Sequence, residues 1–261
     1  MKNIVVAGLL LAMSITGAAA LDNDVVKELA PNGKLRVGVA YAPNPTPVFV
    51  TKDPVGEIRG APRDIGVALA KAAGVPVEFV IAPNTGELTE LCATGAIDVG
   101  FMPADDERRK RLDFSPAYFV IESTYLVAAS TNAKTIADVD RSEFTVVAVS
   151  GTATSRAAGR SLKNAKLITA KSVDEAMEMM KAGSAQAFAL SRDSLPKLQS
   201  QLPGSRIVDG AFQTFDVAIA TPKNRPAALA FVTNFIKTAK ADGTLRRAFD
   251  DANLNMLPIA P

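Results

Sequence analysis

Residues 64–102 read DIGVALAKAAGVPVEFVIAPNTGELTELCATGAIDVGFM, and the apolar periodicity changes repeatedly within that stretch. Asp64 can cap a helix whose apolar positions include Ile65, Ala68, Leu69 and Ala72, with Gly74 as its stop. Residues 77–81 then read as a strand, with Pro76 just ahead of it, where a missing N–H costs little. Residues 87–94 form a short helical pattern ended by Gly95, and residues 97–102 are a buried strand. With LRVGVA at 35–40 in front, the order is βαβαβ. That order predicts a mostly parallel α/β sheet with helices on both faces.

A second cycle follows from about residue 145. Residues 144–149 read as a strand, and Gly151-Thr152-Ala153-Thr154 as a tight turn into a helix. Residues 166–168 and 187–190 are strand-like, on either side of a helical stretch at 172–180 that starts near Ser172 or Asp174 and stops at Gly183. A helix start falls at 191–193, and residues 215–220 are a further strand. Residues 225–241 form an amphipathic helix with Pro226 in its first turn and Gly243 beyond its end, and 244–251 one more. Two α/β units thus occupy the two halves, joined through ESTYLVAA at 122–129. A chain that crosses between lobes twice, its tail packing on the first, fits this order; a single large doubly wound sheet would read similarly.

Of the 261 residues 48% are hydrophobic, enough for a real core, and the net charge of +2 offers no basic patch for nucleic acid. The chain has no His and one Cys. That removes a His-assisted nucleophile, the commonest zinc ligand and any internal disulfide, and no metal site or cofactor motif appears. Cys92 sits in an apolar helical context and reads as a small buried hydrophobe. Residues 1–20 read as a secretory signal peptide: Lys2, an apolar run over 4–15, then Ala18, Ala19 and Ala20 before a cleavage site at Leu21.

Several segments, in order, resemble the extracytoplasmic solute-binding proteins of polar amino-acid ABC transporters. They are Gly33 to Ala40; Gly56 to Gly60 with Asp64-Ile65 and Ala68 to Lys71; Leu91 and Gly95 with Ile97-Asp98; and Glu107-Arg108 to Asp113-Phe114-Ser115-Pro116-Ala117-Tyr118. Gly151-Thr152, the helix ending near Gly183, and Phe235-Ile236 to Gly243-Thr244 complete the series. The resemblance implies a two-lobed, type II-like periplasmic binding protein fold with two hinge crossings. On that template lobe one is 21–124 plus 221–261 and lobe two is 125–220, with crossings near 125–127 and 218–220.

The resemblance also assigns a candidate site. Arg108 stands where the family's Arg grips a ligand carboxylate, a task suited to a planar fork of donors. Gly151, Thr152 and Thr154 open a helix whose free N–H groups and dipole favour an anion. The family's lobe-two carboxylate for a ligand ammonium falls at Ser191, so Asp105, or Asp193 if its loop turns inward, is expected to replace it. Pro103 cannot donate a backbone N–H. Tyr41 and Asn44 are candidate wall residues in a proline-rich loop, and Glu122 lies near the hinge. Arg108→Ala is expected to weaken binding while leaving the fold intact.

The function so implied is capture of a small carboxylate-bearing solute, an amino acid or derivative, by a monomer that delivers it to a membrane permease, without a chemical step. Two other functions fit the same fold. One is an exported enzyme resembling periplasmic cyclohexadienyl dehydratases, with Asp105, Glu122 or Asp193 as the acid. The other is a soluble sensor for a membrane receptor.

Overall fold

Alternation of large aliphatic side chains buries one strand, Leu35–Tyr41 (β1), almost completely, and the first half of the molecule is organised around it. The computed structural model describes residues 23–42 and 46–261; the expected signal peptide (1–20) and Asn44 lie outside the described residues. Before β1 comes a short helix, α1 (Asn23–Leu29). After it come β2 (Phe49–Lys52), β3 (Ile58–Arg59), α2 (Ala61–Ala72), β4 (Val77–Ala82), α3 (Thr85–Ala93) and β5 (Val99–Ala104). β1 pairs in parallel with β2, β4 and β5, as the βαβαβ reading requires. Asp64 is not the cap of α2: the helix begins three residues earlier behind Gly60, with Pro62 in its first turn, and Asp64 pairs with Arg63 within it. Pro62 presets the helical φ and has no N–H to leave unpaired, so no side-chain cap is needed. α3 likewise starts two residues before the expected position, because the Asn84 side chain accepts from the Gly86 and Glu87 N–H groups.

A short helix α4 (Asp106–Arg109) and strand β6 (Leu112–Phe114) lead into β7 (Phe119–Val127). The second half then runs α5 (Ile136–Val139), β8 (Thr145–Val149), α6 (Ala153–Ser161), β9 (Lys166–Ala170), α7 (Val173–Lys181) and β10 (Ala187–Ser191). A 3₁₀ turn at Arg192–Ser194, α8 (Leu195–Ser200) and β11 (Arg206–Ile207) follow, and β12 (Gln213–Pro222) returns the chain to the first half. β8 pairs in parallel with β9 and β10, and two apolar clusters cover the faces of that sheet.

The two halves meet in a two-stranded ribbon. Residues 119–123 of β7 pair antiparallel with residues 213–217 of β12. Beyond Ser123, β7 belongs to the second half and pairs with β10 and β11. Beyond Asp216, β12 belongs to the first and pairs with β5 and β6. Residues 125–127 and 218–220 therefore lie inside the sheets of their respective halves, just outside the ribbon itself. The closing helices α9 (Pro226–Ala241) and α10 (Thr244–Asp251) share the core of the first half. Fully buried Asp98 anchors this return, accepting from Arg36 of β1 and from Arg225 at the start of α9. Such a buried carboxylate needs these charge-assisted partners. Cys92 packs in the same core, where burial pushes its thiol up to about 12.

Candidate functional site

The cleft between the halves is built on the N-terminal turns of α3, α4 and α6. Thr152 caps α6: its hydroxyl donates to the Val149 carbonyl (2.8 Å) and accepts from the Ser155 N–H (3.1 Å). That leaves the N–H groups of Ala153 and Thr154 without an intrahelical partner. Gly151 precedes the cap at φ +68°, a conformation that favours glycine. Asp105 caps α4 by accepting from the Arg108 N–H (2.9 Å), which turns the Arg108 side chain inward.

Arg108 is 1% exposed and spends its donors on the protein. Nε donates to Thr89 Oγ1 (2.8 Å), Nη1 to the Pro103 carbonyl (2.7 Å), and Nη2 to the Thr85 carbonyl (2.9 Å) and hydroxyl (3.0 Å). A longer bond of 3.4 Å reaches the Gly151 carbonyl on the opposite half. Burial, and next the charge of Arg156, lower its pKa to about 9, so it stays protonated at neutral pH.

Three further contacts cross the cleft. Arg156, one turn into α6, donates through Nε (2.8 Å) and Nη2 to Asp105 Oδ2, and its Nη1 donates to the Gly151 carbonyl (2.9 Å). The Asn84 amide donates to the Lys171 carbonyl (3.1 Å). Gly86 and Gly151 meet backbone to backbone: a Cβ built on Gly86 would lie 2.9 Å from Gly151 Cα. A groove of about 540 Å³ runs along this rim, lined by Arg108, Arg111, Arg156 and Lys171 among others.

Inside these contacts the cleft closes on a cavity of about 20 Å³, the size of a single water. Val48, Phe49, Ile121 and Leu190 supply its apolar wall, and Thr85, Thr152, Thr154 and Ser191 its hydroxyls. Two residues beyond Ser191, both carboxylate oxygens of Asp193 are buried without a hydrogen-bond partner. Burial raises its pKa to about 6; its own backbone N–H and the Ser191 hydroxyl lie near enough to offset this in part, though neither reaches it with the geometry of a full hydrogen bond. Its charge also helps raise the pKa of Tyr118, whose hydroxyl donates to the Pro47 carbonyl (2.7 Å) beside Val48. Asp193 itself sits in the 3₁₀ turn that follows the wall residue Ser191.

Of the residues singled out from the sequence, Thr152, Thr154 and Ser191 line the cavity, and Asp193 follows two residues after Ser191 without lining it. Thr154 also bonds to Ser123 in the ribbon (3.0 Å). Arg108 and Gly151 lie on the rim groove, Arg108 one bond behind the cavity wall through Thr85. Asp105 is occupied by Arg156, Glu122 pairs with Arg192 at the surface, and half-buried Tyr41 carries Lys52 over its ring. Sequence reading missed Arg156, Thr85, Thr89, Ile121 and Leu190. A helical wheel from the Thr152 cap could have flagged Arg156, since position N4 of α6 lies above its own N-terminus.

Comparisons with known proteins agree with this fold. The glutamine-binding protein of Geobacillus stearothermophilus is 26% identical over 222 residues, 81% of each chain. The structure of an ancestral amino acid-binding protein, a precursor of cyclohexadienyl dehydratase, shares 30% identity at a TM-score of 0.74, over 86% of this chain and 97% of that one. A binding component of an ABC transporter from Wolinella succinogenes, described as putative and complexed with lysine, shares 27% identity at a TM-score of 0.72, over 84% and 95% of the two chains. The L-cysteine receptor of Neisseria gonorrhoeae, 20% identical at a TM-score of 0.78 over 91% and 99%, shares the bilobed fold. The family model for bacterial extracellular solute-binding proteins, family 3, matches residues 35–251, and the chain belongs to that family.

Proposed function

We propose that this protein captures a small amino-acid-like carboxylate solute outside the cytoplasm and delivers it to the membrane permease of an ABC transporter. Membership of the family makes it a binding protein rather than an enzyme. Residues 1–20 direct export. Lobe one comprises residues 21–118 and 218–261, lobe two residues 124–212, and the ribbon of β7 (119–123) and β12 (213–217) is the hinge. The observation that carries this reading is the set of contacts across the cleft, above all Asp105 to Arg156 and Arg108 to Gly151, which clasp a cavity walled by both halves. Such contacts favour a closed state, and a solute that binds that state better shifts the population toward it.

The solute's carboxylate meets the free N–H groups at the start of α6, under the positive field of Arg108, and its amino group meets Asp193. A thermal-shift screen with amino acids, organic acids and amines tests the reading. A ligand at a hundred times its Kd stabilises the native state by about 2.7 kcal/mol. A shift with amino acids is expected; none with any amino acid or carboxylate would refute the proposed ligand class. Arg156→Ala removes the ion-pair half of the clasp. It should raise the radius of gyration of the ligand-free protein in small-angle scattering and weaken binding about tenfold, for a charge-assisted pair of roughly 1.5 kcal/mol or more.

A further inference from the structure

We infer that Tyr118 is a positioning residue for the cavity: its hydroxyl holds the Val48–Phe49 wall in place from the root of the β7–β12 ribbon. The effect on affinity rests on the reading that this cavity takes the solute; the effect on the wall does not.

The wall segment has little main-chain support. Residues 46–48 lie outside any strand, and the pairing of β2 with β1 begins at Phe49. The turn is closed from within by the Thr46 hydroxyl, which accepts from the N–H groups of Val48 (3.1 Å) and Phe49 (3.0 Å). Buried Pro47 has no N–H to donate, so its main chain can be tied to the rest of the first half only through its carbonyl. The Tyr118 hydroxyl, 71 residues on, donates to that carbonyl (2.7 Å). Val48 and Phe49 line the cavity together with Pro103 and Ile121.

Tyr118 is itself held on several sides. It is fully buried, its ring edge-on to Phe101 (5.9 Å between centroids) and Phe249 (6.5 Å). Its N–H donates to the Val217 carbonyl (2.9 Å) where the ribbon ends, and its carbonyl accepts from the Ala260 N–H (3.0 Å). Val217 in turn pairs with Pro103 of the cavity lining. Each polar atom of the residue is bonded, one to the ribbon, one to the tail and one to the wall. Burial, and next the charge of Asp193, push the phenol well above the usual tyrosine range, so it stays a donor at neutral pH.

Tyr118→Phe deletes the hydroxyl and keeps the ring and both main-chain bonds. The buried Pro47 carbonyl is then left without its donor, a cost relieved by moving the turn toward water. The frame stays and the wall shifts.

Hydrogen exchange read by mass spectrometry tests this on the purified full chain. The Val48 and Phe49 amides should exchange about tenfold faster in Tyr118→Phe, with β5 and β12 unchanged. Tyr125→Phe, which removes a buried phenol from the second half's core, should leave the wall as it is. Calorimetry with the common L-amino acids as probes gives the second readout. The best-bound one should lose about fivefold in affinity in Tyr118→Phe and nothing in Tyr125→Phe, a split that a general loss of stability would not produce. Thr46→Val loosens the same turn from within, so its loss and that of Tyr118→Phe should be less than additive in the double variant. Wall exchange that is unchanged, or quickened equally in β5 and β12, overturns the inference; so does full affinity beside a loosened wall. Binding of no amino acid by the unaltered protein refutes the amino-acid reading instead, and exchange still decides what anchors the wall. If Tyr118→Phe does not fold, Thr46→Val decides: full affinity there overturns the role of the wall.

Discussion

Burial lifts the Asp193 carboxyl from 3.8 to about 6, so the native state holds a proton that the unfolded chain releases. Stability is therefore gained as pH falls below 6 and complete below about 4, and at pH 7 the buried charge costs about 3 kcal/mol. Asp193→Asn should raise the urea midpoint at pH 7 and flatten the rise in stability between pH 7 and 4; an unchanged pH profile would show that the carboxylate is solvated. Arg108 behaves in the opposite sense. Removing it strands the Thr85, Thr89 and Pro103 acceptors, so Arg108→Ala should cost about 3 kcal/mol in chemical denaturation besides weakening binding. The importance of Arg108 was legible because it stands in a charged run just before Phe114-Ser115. Its partners were not, because Thr85 and Thr89 lie some twenty residues away on a helix whose start was misjudged. Asp105 is the same case: a cap at short range, and at long range the partner of Arg156, 51 residues on.

At the scale of elements, local chemistry was the best guide. Helix α6 begins where a Gly-Thr turn must be followed by a helix, and α10 runs Thr244–Asp251 as its pattern demands. Thr152→Ala should cost about 1 kcal/mol in a urea titration while Thr152→Ser retains most of it, since the hydroxyl performs the capping. Strand β7 was harder to read. Glu122-Ser123-Thr124 looks like a polar link, yet Ser123 and Thr124 are fully buried, bonded to Thr154 and to the Gly210 carbonyl. Alternation fails as a signal where a strand changes neighbours halfway along, as β7 does at Ser123. The brief strands β3 and β11 carry too few residues for any periodicity.

For the molecule as a whole, the order of segments foretold two α/β halves and a returning tail, and both α9 and α10 pack into the first core. What no segment order encodes is how far the halves approach, because that depends on atoms brought together only by the finished fold. The meeting of Gly86 and Gly151 fixes it. Gly86 is not in a left-handed conformation, so alanine suits its backbone; its Cβ would press on the Asn84 side chain that caps α3 and on the Gly151 backbone of the other half. Gly86→Ala should therefore leave folding largely intact yet weaken ligand binding about tenfold or more, read by calorimetry alongside a normal thermal unfolding transition. Contact between two main chains also acts as a mechanical end-stop. The jaws halt at a gap set by the frame, so a solute that fits lets them seat fully, and a bulkier one props them ajar.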